Sequence, residues 1–465
     1  MSLIAIKSMD PRRGSPHDAA GGGDDKKSAG AGLSKFIVRG GKPLHGTVRL
    51  AGSKNAASKM MVASLLTDEP CTFTNVPDIE EVAITEELCR TIGSEISRKD
   101  HAFTICTPRI ASSCVIELTR RNRIPILALG PLLARAGEAE VPILGGDKIG
   151  HRPVDLHLKS LEAMGAEITL LPKSYRAVAP KGLHGAMIRM HFPSVGATEN
   201  VILAAVLAKG NTVILNAALE PEIMSLVKML QKMGAIIELG ANRDIYIEGV
   251  KKLRGVEHEV IPDRNEAVSF ACLAIATGGK ILVEGALQDH LITFLNVVRR
   301  LGAEYEVKKE GIVFSRPNIL KPLHIETGVH PGFMTDWQQP LAVVLTQAEG
   351  DSMIHETIYE DRFGYAKDLN SIGAKIEVFA DCPDESWCRF AGKKFGHVAL
   401  IHGPTKLHGG GKFHVRDLRS GIVDAIAALV ADGETEISGI EEIDRGYENI
   451  DERLRNLGAE IKRSS

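Results

Sequence analysis

Apolar and polar positions along this chain follow two periods in turn. Short β-branched runs such as Cys71–Asn75, Thr212–Asn216, Lys280–Glu284 and Thr435–Ser438 predict strands. Between them the apolar residues recur at helical spacing, as in Glu81–Ile92, Leu156–Met164, Pro221–Met233 and Ile450–Leu457. Strand and helix alternate from Phe36 onward, so the fold class is α/β with mixed layers.

Six joins between these elements share one phrase: an apolar residue, Gly, a small residue, a variable position and another apolar residue. They are Ile92-Gly93-Ser94-Glu95-Ile96, Met164-Gly165-Ala166-Glu167-Ile168, Met233-Gly234-Ala235-Ile236-Ile237, Leu301-Gly302-Ala303-Glu304-Tyr305, Ile372-Gly373-Ala374-Lys375-Ile376 and Leu457-Gly458-Ala459-Glu460-Ile461. The glycines are 72, 69, 68, 71 and 85 residues apart. Each phrase reads as a helix that ends at a left-handed glycine, where any Cβ would clash, and then turns into a strand. A fixed period of this kind predicts one supersecondary unit, of βαβ type, copied six times. Six units divide into two groups of three, each around its own core. The turn at Ile261-Pro262-Asp263-Arg264 follows the third copy and marks the boundary, giving one domain over 54–261. The opening strand Phe36–Leu50 precedes the first copy, so the second domain is read as 35–53 together with 262–465. Such a pair leaves a cleft, where ligand sites concentrate.

Residues 1–34 stand outside this pattern. Pro11-Arg12-Arg13-Gly14-Ser15-Pro16 leads to Gly21-Gly22-Gly23-Asp24-Asp25-Lys26-Lys27. Too few apolar residues remain to offset the entropy of ordering, so the segment is read as a disordered extension, too polar for a secretory signal. The net charge of −3 over 465 residues argues against a nucleic-acid or membrane-surface binder. Nothing is long and apolar enough to span a bilayer. Seven cysteines, Cys71, Cys89, Cys106, Cys114, Cys272, Cys382 and Cys388, contain no C-x-x-C pair. That count and spacing point to reduced thiols in a cytoplasmic protein rather than to a zinc site.

Four places carry candidate chemistry. In Leu50-Ala51-Gly52-Ser53-Lys54-Asn55-Ala56-Ala57 a strand turns into a helix whose N-terminus, with Lys54, suits a phosphate or carboxylate; a capped helix with a surface lysine reads the same way. Walker A spacing is absent. Gly145-Gly146-Asp147-Lys148-Ile149-Gly150-His151-Arg152-Pro153-Val154-Asp155-Leu156-His157 fits both a mobile lid carrying an acid and a plain surface turn. Arginines stand among carboxylates in Glu360-Asp361-Arg362-Phe363, Arg416-Asp417-Leu418-Arg419 and Asp444-Arg445-Gly446-Tyr447-Glu448, and Arg120, Arg121 and Arg123 precede Ala128-Leu129-Gly130-Pro131. Each alone is accounted for by an ion pair; their recurrence points to an arginine cage for an anion. Asp336, in His330-Pro331-Gly332-Phe333-Met334-Thr335-Asp336-Trp337, is either a helix cap or a base for a hydroxyl.

These motifs, together with Phe192-Pro193-Ser194-Val195-Gly196-Ala197-Thr198-Glu199-Asn200, occur in an order that resembles the UDP-N-acetylglucosamine enolpyruvyl transferases over about residues 35–463. The resemblance implies a two-domain inside-out α/β barrel with three repeats per domain. It implies transfer of the enolpyruvyl group of phosphoenolpyruvate to the sugar 3-hydroxyl of UDP-N-acetylglucosamine, the first committed step of peptidoglycan synthesis, with no metal or organic cofactor, nucleic acid, membrane or obligate protein partner. Lys54, Asn55, Arg152 and Arg445 match residues that hold phosphoenolpyruvate, with Arg419 near it. Arg123, Arg152, Pro153, Val154, Asp155, Leu156, Ser194, Val195, Asp336 and Ile358 match residues that hold the UDP-sugar, and Arg362 an arginine at the closed interface. Asp336 matches the carboxylate beside the 3-hydroxyl.

Two departures stand out. The lid of this family usually carries Gly-Gly-Cys, and here Asp147 replaces the cysteine, as in a minority of its members. A desolvated carboxylic acid can donate a proton in its place, but it forms no thioether with fosfomycin, so an active, fosfomycin-resistant enzyme is expected. Arg120-Arg121-Asn122-Arg123-Ile124-Pro125 stands where Lys-x-x-Arg-Ala-Ser is usual, retaining Arg123. Similar enzymes act on UMP or shikimate 3-phosphate. The shikimate-pathway type lacks the Arg152-Pro153-Val154-Asp155-Leu156-His157 loop, and UMP is the alternative acceptor. A non-catalytic nucleotide-binding relative would be marked by loss of Lys54, Asp336 or Arg445, all of which are present.

Overall fold

Six helices, Glu80–Ile92, Asp155–Ala163, Pro221–Lys232, Gln288–Leu301, Tyr365–Ser371 and Ile450–Asn456, run into the repeated phrases. Gly93, Gly165, Gly234, Gly302, Gly373 and Gly458 take φ of 117, 96, 103, 85, 107 and 94°, the region glycine alone enters without strain. The strands that follow, Glu95–Lys99, Glu167–Leu170, Ile236–Leu239, Glu304–Val307, Ile376–Phe379 and Glu460–Ser464, each form the edge of a different sheet. This computed structural model describes residues 34–118, 122–143, 153–317, 319–360, 362–382 and 388–464. The extension over 1–33 and the segment 144–152, with Asp147 and Arg152, lie outside the described residues, as do Arg120, Arg121 and Asp361.

Among the described residues there are five four-stranded sheets and one three-stranded sheet, all open. In each sheet one strand takes a parallel neighbour from elsewhere in the chain. Val256–Glu259 joins Cys71–Thr74, Met187–Arg189 joins Asn211–Leu215, and Cys114 bridges Glu140. In the other half His45–Arg49 joins Lys280–Glu284, His324–Glu326 joins Gly350–His355, and Lys412–His414 joins Glu434–Ser438. Every sheet thus lends its next strand to the following sheet, and the third lends back to the first. That cyclic exchange ties three sheets into one ring in each half of the chain.

The sequence predicts one opening strand over Phe36–Leu50; the structure has two, Lys35–Arg39 and His45–Arg49. A Cβ on Gly40 would lie 2.1 Å from the Ala428 carbonyl oxygen, and Gly41 turns at φ 87°, so the backbone presses on a neighbouring helix and bends away. Lys35–Arg39 then pairs antiparallel with both Glu434–Ser438 and Glu460–Ser464. The start of the chain supplies the strand that the last repeated phrase lacks after it.

Buried apolar side chains form two clusters, one spanning Ala56 to Val260 and the other Phe36 to Leu50 with Ala267 to Ile461. At the centre of the second lie Arg264–Thr277, Thr335–Leu345 and Leu418–Val430, packed on one another. These helices are apolar on nearly every face, the pattern of a helix enclosed on all sides. The chain passes between clusters at 51–53 and 261–263, and the two crossings pair: Ser53 N–H donates to Ile261 O at 2.7 Å and Asp263 N–H to Ala51 O at 2.9 Å. Asp263 caps the helix Arg264–Thr277 and also accepts from Lys54 N–H at 3.2 Å. The start of one helix is thereby fixed to the start of another across the boundary.

Candidate functional site

Six helices begin on one cleft of about 620 Å³ between the two clusters. They are Lys54–Ala63, Glu80–Ile92, Asp155–Ala163, Val195–Ala205, Thr335–Leu345 and Leu418–Val430, and the first turn of each lines it. Each helix start carries about half a positive charge, from N–H groups that have no partner within the helix itself. The side chains add to this field: Lys54, Lys59, Arg123, Arg362, Arg389, Arg419 and Arg445 line the same cleft. A small ligand with more than one anionic group fits such a field.

One carboxylate organises the arginines. Arg362 Nη2 donates to Asp336 Oδ1 at 2.7 Å and Arg419 Nε to Asp336 Oδ2 at 3.2 Å. Arg362 and Arg419 are only 2% and 8% exposed, so both charges need this partner. Asp336 stands at the second helical position, the N-cap is Met334, and no side chain caps the helix, which removes the capping explanation. Burial raises the Asp336 pKa, but Arg419, Arg362 and Lys54 outweigh it and hold the carboxyl at about 2. Arg419 Nη1 also donates to the Tyr447 hydroxyl at 3.2 Å, which shares a 2.8 Å hydrogen bond with Ser269, so the guanidinium is fixed from both ends.

Glu81 spans the cleft. Lys54 Nζ lies 3.6 Å and Arg445 Nη2 3.9 Å from its Oε2, joining cations of the two halves. The Gly52 turn that aims Lys54 tolerates no side chain, since a Cβ there would meet the Asn75 carbonyl oxygen at 1.8 Å. On the far wall burial, with Arg123 adding to it, pushes His157 down to about 3. Its ring is neutral and shares a 3.2 Å hydrogen bond through Nδ1 with Asn200 Nδ2.

Of the residues singled out in the sequence, Lys54, Asn55, Arg123, Pro153, Asp155, Leu156, Ser194, Val195, Asp336, Ile358, Arg362, Arg419 and Arg445 all line the cleft. Val154 sits one residue before the helix Asp155–Ala163 and is not in the lining. Arg416 turns away, donating to Gly364 O at 2.9 Å and pairing with Asp368; Asp444 pairs with Arg463 at 2.8 Å. Sequence reasoning missed Lys59, Glu199 and Arg389. Lys59 lies little more than one turn beyond Lys54 on the same helix, and Glu199 lies inside a quoted motif, so both had a signal. Arg389 lies in an irregular segment and had none; its guanidinium stands 5.1 Å from the Phe192 ring.

Glu199 gives the site a second titration. It is enclosed on the helix Val195–Ala205 and burial, against the opposing pull of Lys59, raises its pKa to about 8. Because the folded value exceeds the unfolded one, the folded state holds an extra proton between pH ~4.5 and ~8, and stability falls as pH rises through that window. Each pKa unit is worth about 1.4 kcal/mol. Glu199→Gln removes the titration, so the unfolding free energy from urea melts should fall less between pH 5 and 8 than in the wild type, by on the order of a few kcal/mol. Parallel pH profiles would show that Glu199 is not held neutral.

The comparisons agree with this geometry. The family profile described as EPSP synthase (3-phosphoshikimate 1-carboxyvinyltransferase) matches residues 38–454. A UDP-N-acetylglucosamine 1-carboxyvinyltransferase of Protochlamydia amoebophila (strain UWE25) is 48% identical over 434 residues, covering 91% of this chain and 93% of the relative. One of the same name from Chlamydia abortus (strain DSM 27085 / S26/3) is 47% identical, covering 91% and 97%. Among solved structures, the enolpyruvyl transferase NikO from Streptomyces tendae superposes with a TM-score of 0.82 at 24% identity, over 93% of this chain and 99% of that one. The last shows the fold alone.

Proposed function

The chain belongs to the EPSP synthase family, among its UDP-N-acetylglucosamine 1-carboxyvinyltransferases, and on that premise we propose the reaction that its cleft carries out. It transfers the enolpyruvyl group of phosphoenolpyruvate to the 3-hydroxyl of UDP-N-acetylglucosamine and releases phosphate, which places it in peptidoglycan synthesis. The observation that carries this reading is the convergence of six helix starts and seven cations on one cleft, beside a carboxylate that can receive a hydroxyl proton. In the same reading the two cores are the two domains, 54–261 and 35–53 with 262–465. Their six sheets are copies of one unit, three per domain, arranged as inside-out barrels around the buried helices.

The residues divide the work by position. Lys54, Asn55, Arg419 and Arg445 receive the phosphate and carboxylate of phosphoenolpyruvate, with Arg152 assigned to them from the sequence. Arg123, Pro153 to Leu156, Ser194, Val195 and Ile358 line the wall that takes the UDP-sugar. A proton delivered to C3 of phosphoenolpyruvate gives C2 oxocarbenium character. The sugar oxygen attacks C2 as its proton passes to Asp336, and the tetrahedral ketal then loses phosphate and a C3 proton to leave the enol ether. Developing charge is met by fixed cations in the cleft.

The low pKa of Asp336 bears on the order of events. With both oxygens held by Arg362 and Arg419 it is a weak base. An anion that arrives at Arg419 takes up part of that positive charge, and Asp336 then becomes more basic. Phosphoenolpyruvate thus prepares the base that the acceptor hydroxyl needs. The test is phosphate release from phosphoenolpyruvate with UDP-N-acetylglucosamine, UMP or shikimate 3-phosphate as sole acceptor. Release with the UDP-sugar alone is the expected result; release with either other acceptor alone overturns the assignment.

A further inference from the structure

The sheet that carries Gly350–His355 and Val398–Gly403 ends in a cluster of four donors away from the anionic chemistry. His355, Cys382, Cys388 and His397 each offer one ligand atom, all within 4.8 Å of one another. His355 Nε2 lies 3.2 Å from Cys388 Sγ, and His397 Nε2 lies 2.9 Å from Cys382 Sγ. With zinc bonds of about 2.3 Å to sulfur and about 2.0–2.1 Å to nitrogen, a tetrahedral ion sets its donors roughly 3.3–3.8 Å apart. Two edges of the cluster are shorter than that and the others run to no more than 4.8 Å, so a small adjustment of the four side chains brings them onto one zinc ion.

The outer contacts point the same way. His355 is held through its other nitrogen by Glu326, Nδ1 to Oε2 at 3.0 Å, and His397 by the Phe395 carbonyl, Nδ1 to O at 3.1 Å. Both rings thus present Nε2 inward and donate Nδ1–H outward, the arrangement in which an acceptor fixes the tautomer of a metal-bound histidine. Phe390 N–H donates to Cys388 Sγ at 3.3 Å, as a backbone amide does to a ligating thiolate. His355, Cys388 and His397 are buried, and the Phe390 ring packs against His397 at 5.8 Å, which keeps water away.

We propose that His355, Cys382, Cys388 and His397 bind a structural zinc ion. Two thiolates and two neutral imidazoles form a closed four-coordinate set with no open position, so the ion holds structure and takes no part in the reaction. Binding displaces the two thiol protons. The donors come from the end of one strand, the start of another and the segment between them. A clamp there fixes Arg389, next to Cys388, in the cleft wall. The cysteine spacing gave no sign of it, because the four ligands belong to separate stretches and include no C-x-x-C pair.

The test uses the full chain, made in zinc-supplemented medium and purified without a polyhistidine tag. Elemental analysis should find about one zinc per chain, lost in Cys388→Ser and in His355→Ala but kept in His402→Ala. His402 contacts Asp351 and Glu377 instead. Should those variants fail to fold, the wild type decides the matter. After chelation, added Co²⁺ should give thiolate charge-transfer and tetrahedral d–d bands, and added zinc should raise the melting temperature. Zinc-free protein that neither melts higher with zinc nor binds cobalt through sulfur overturns the proposal. So does a native Cys382–Cys388 disulfide, seen as the loss of two hydrogens by mass.

Discussion

Asp336→Asn is expected to lower kcat by roughly 10²–10⁴-fold, the range spanned by loss of a positioned general base. The substitution keeps the shape of the side chain and removes its charge. Two consequences separate its roles. Arg362 and Arg419 lose their shared partner, and stranding buried charges of this kind costs about 3–5 kcal/mol, so the melting temperature should fall. The same arginines become available to other anions, and the variant should bind inorganic phosphate or phosphoenolpyruvate more tightly than the wild type. A side chain of structural importance alone would lower stability without a large kcat loss in the folded fraction. Near-normal kcat in folded protein would remove Asp336 as the base. The pH dependence carries its own sign. The folded pKa of about 2 lies below the ordinary 3.8, so the contribution of the ion pair is complete above pH ~4 and is lost as pH falls towards ~2. The Asn variant should lack that acid-side loss.

Much of the fold could be read because backbone geometry leaves marks on residue type. The six glycines had to be glycines, since each stands at positive φ, and their spacing reported the recurrence of helix, turn and edge strand. The exchange of strands between sheets left no such mark. Lys412–His414 and Met187–Arg189 are three residues long, too short for a period to show, and a whole helix separates each from its partner strand. The opening strand was read as one because Gly40 and Gly41 look like tolerated strand glycines until Ala428 is placed against them.

The site was legible where charge sits at a helix start. Lys54, Asp336 and Arg419 each follow a turn signal and precede an apolar helix, so their positions could be inferred before their neighbours were known. Pairings could not. Nothing in the sequence joins Arg362 and Arg419 to one carboxylate 26 and 83 residues away, or separates cleft-facing Arg419 from outward-facing Arg416. Those depend on which face of the loop meets the cleft, a tertiary outcome. The grouping of His355, Cys382, Cys388 and His397 left no mark either, since it lies in proximity rather than in spacing.

The second large effect concerns Asp147. As the proposed acid for C3 of phosphoenolpyruvate it needs a proton at the moment of transfer, and a carboxyl group keeps one near neutral pH only if desolvated. Asp147→Asn retains size and polarity but has no acidic proton, so kcat should fall by roughly 10²–10⁴-fold with KM little changed. Asp147→Cys should retain turnover, because a thiol with a pKa near 8.5 can serve as the acid. It should also acquire a liability. A thiolate opens the fosfomycin epoxide to a stable thioether, whereas a carboxylate is the poorer nucleophile and would give at most an ester open to hydrolysis. Time-dependent inactivation by fosfomycin is therefore expected in the cysteine variant and absent in the wild type, with one inhibitor mass added on the peptide containing position 147. Full activity in Asp147→Asn would dismiss the residue as the acid. Rapid covalent inactivation of the wild type would mean that another nucleophile lies within reach of the inhibitor, and the resistance inferred from Asp147 would fall with it.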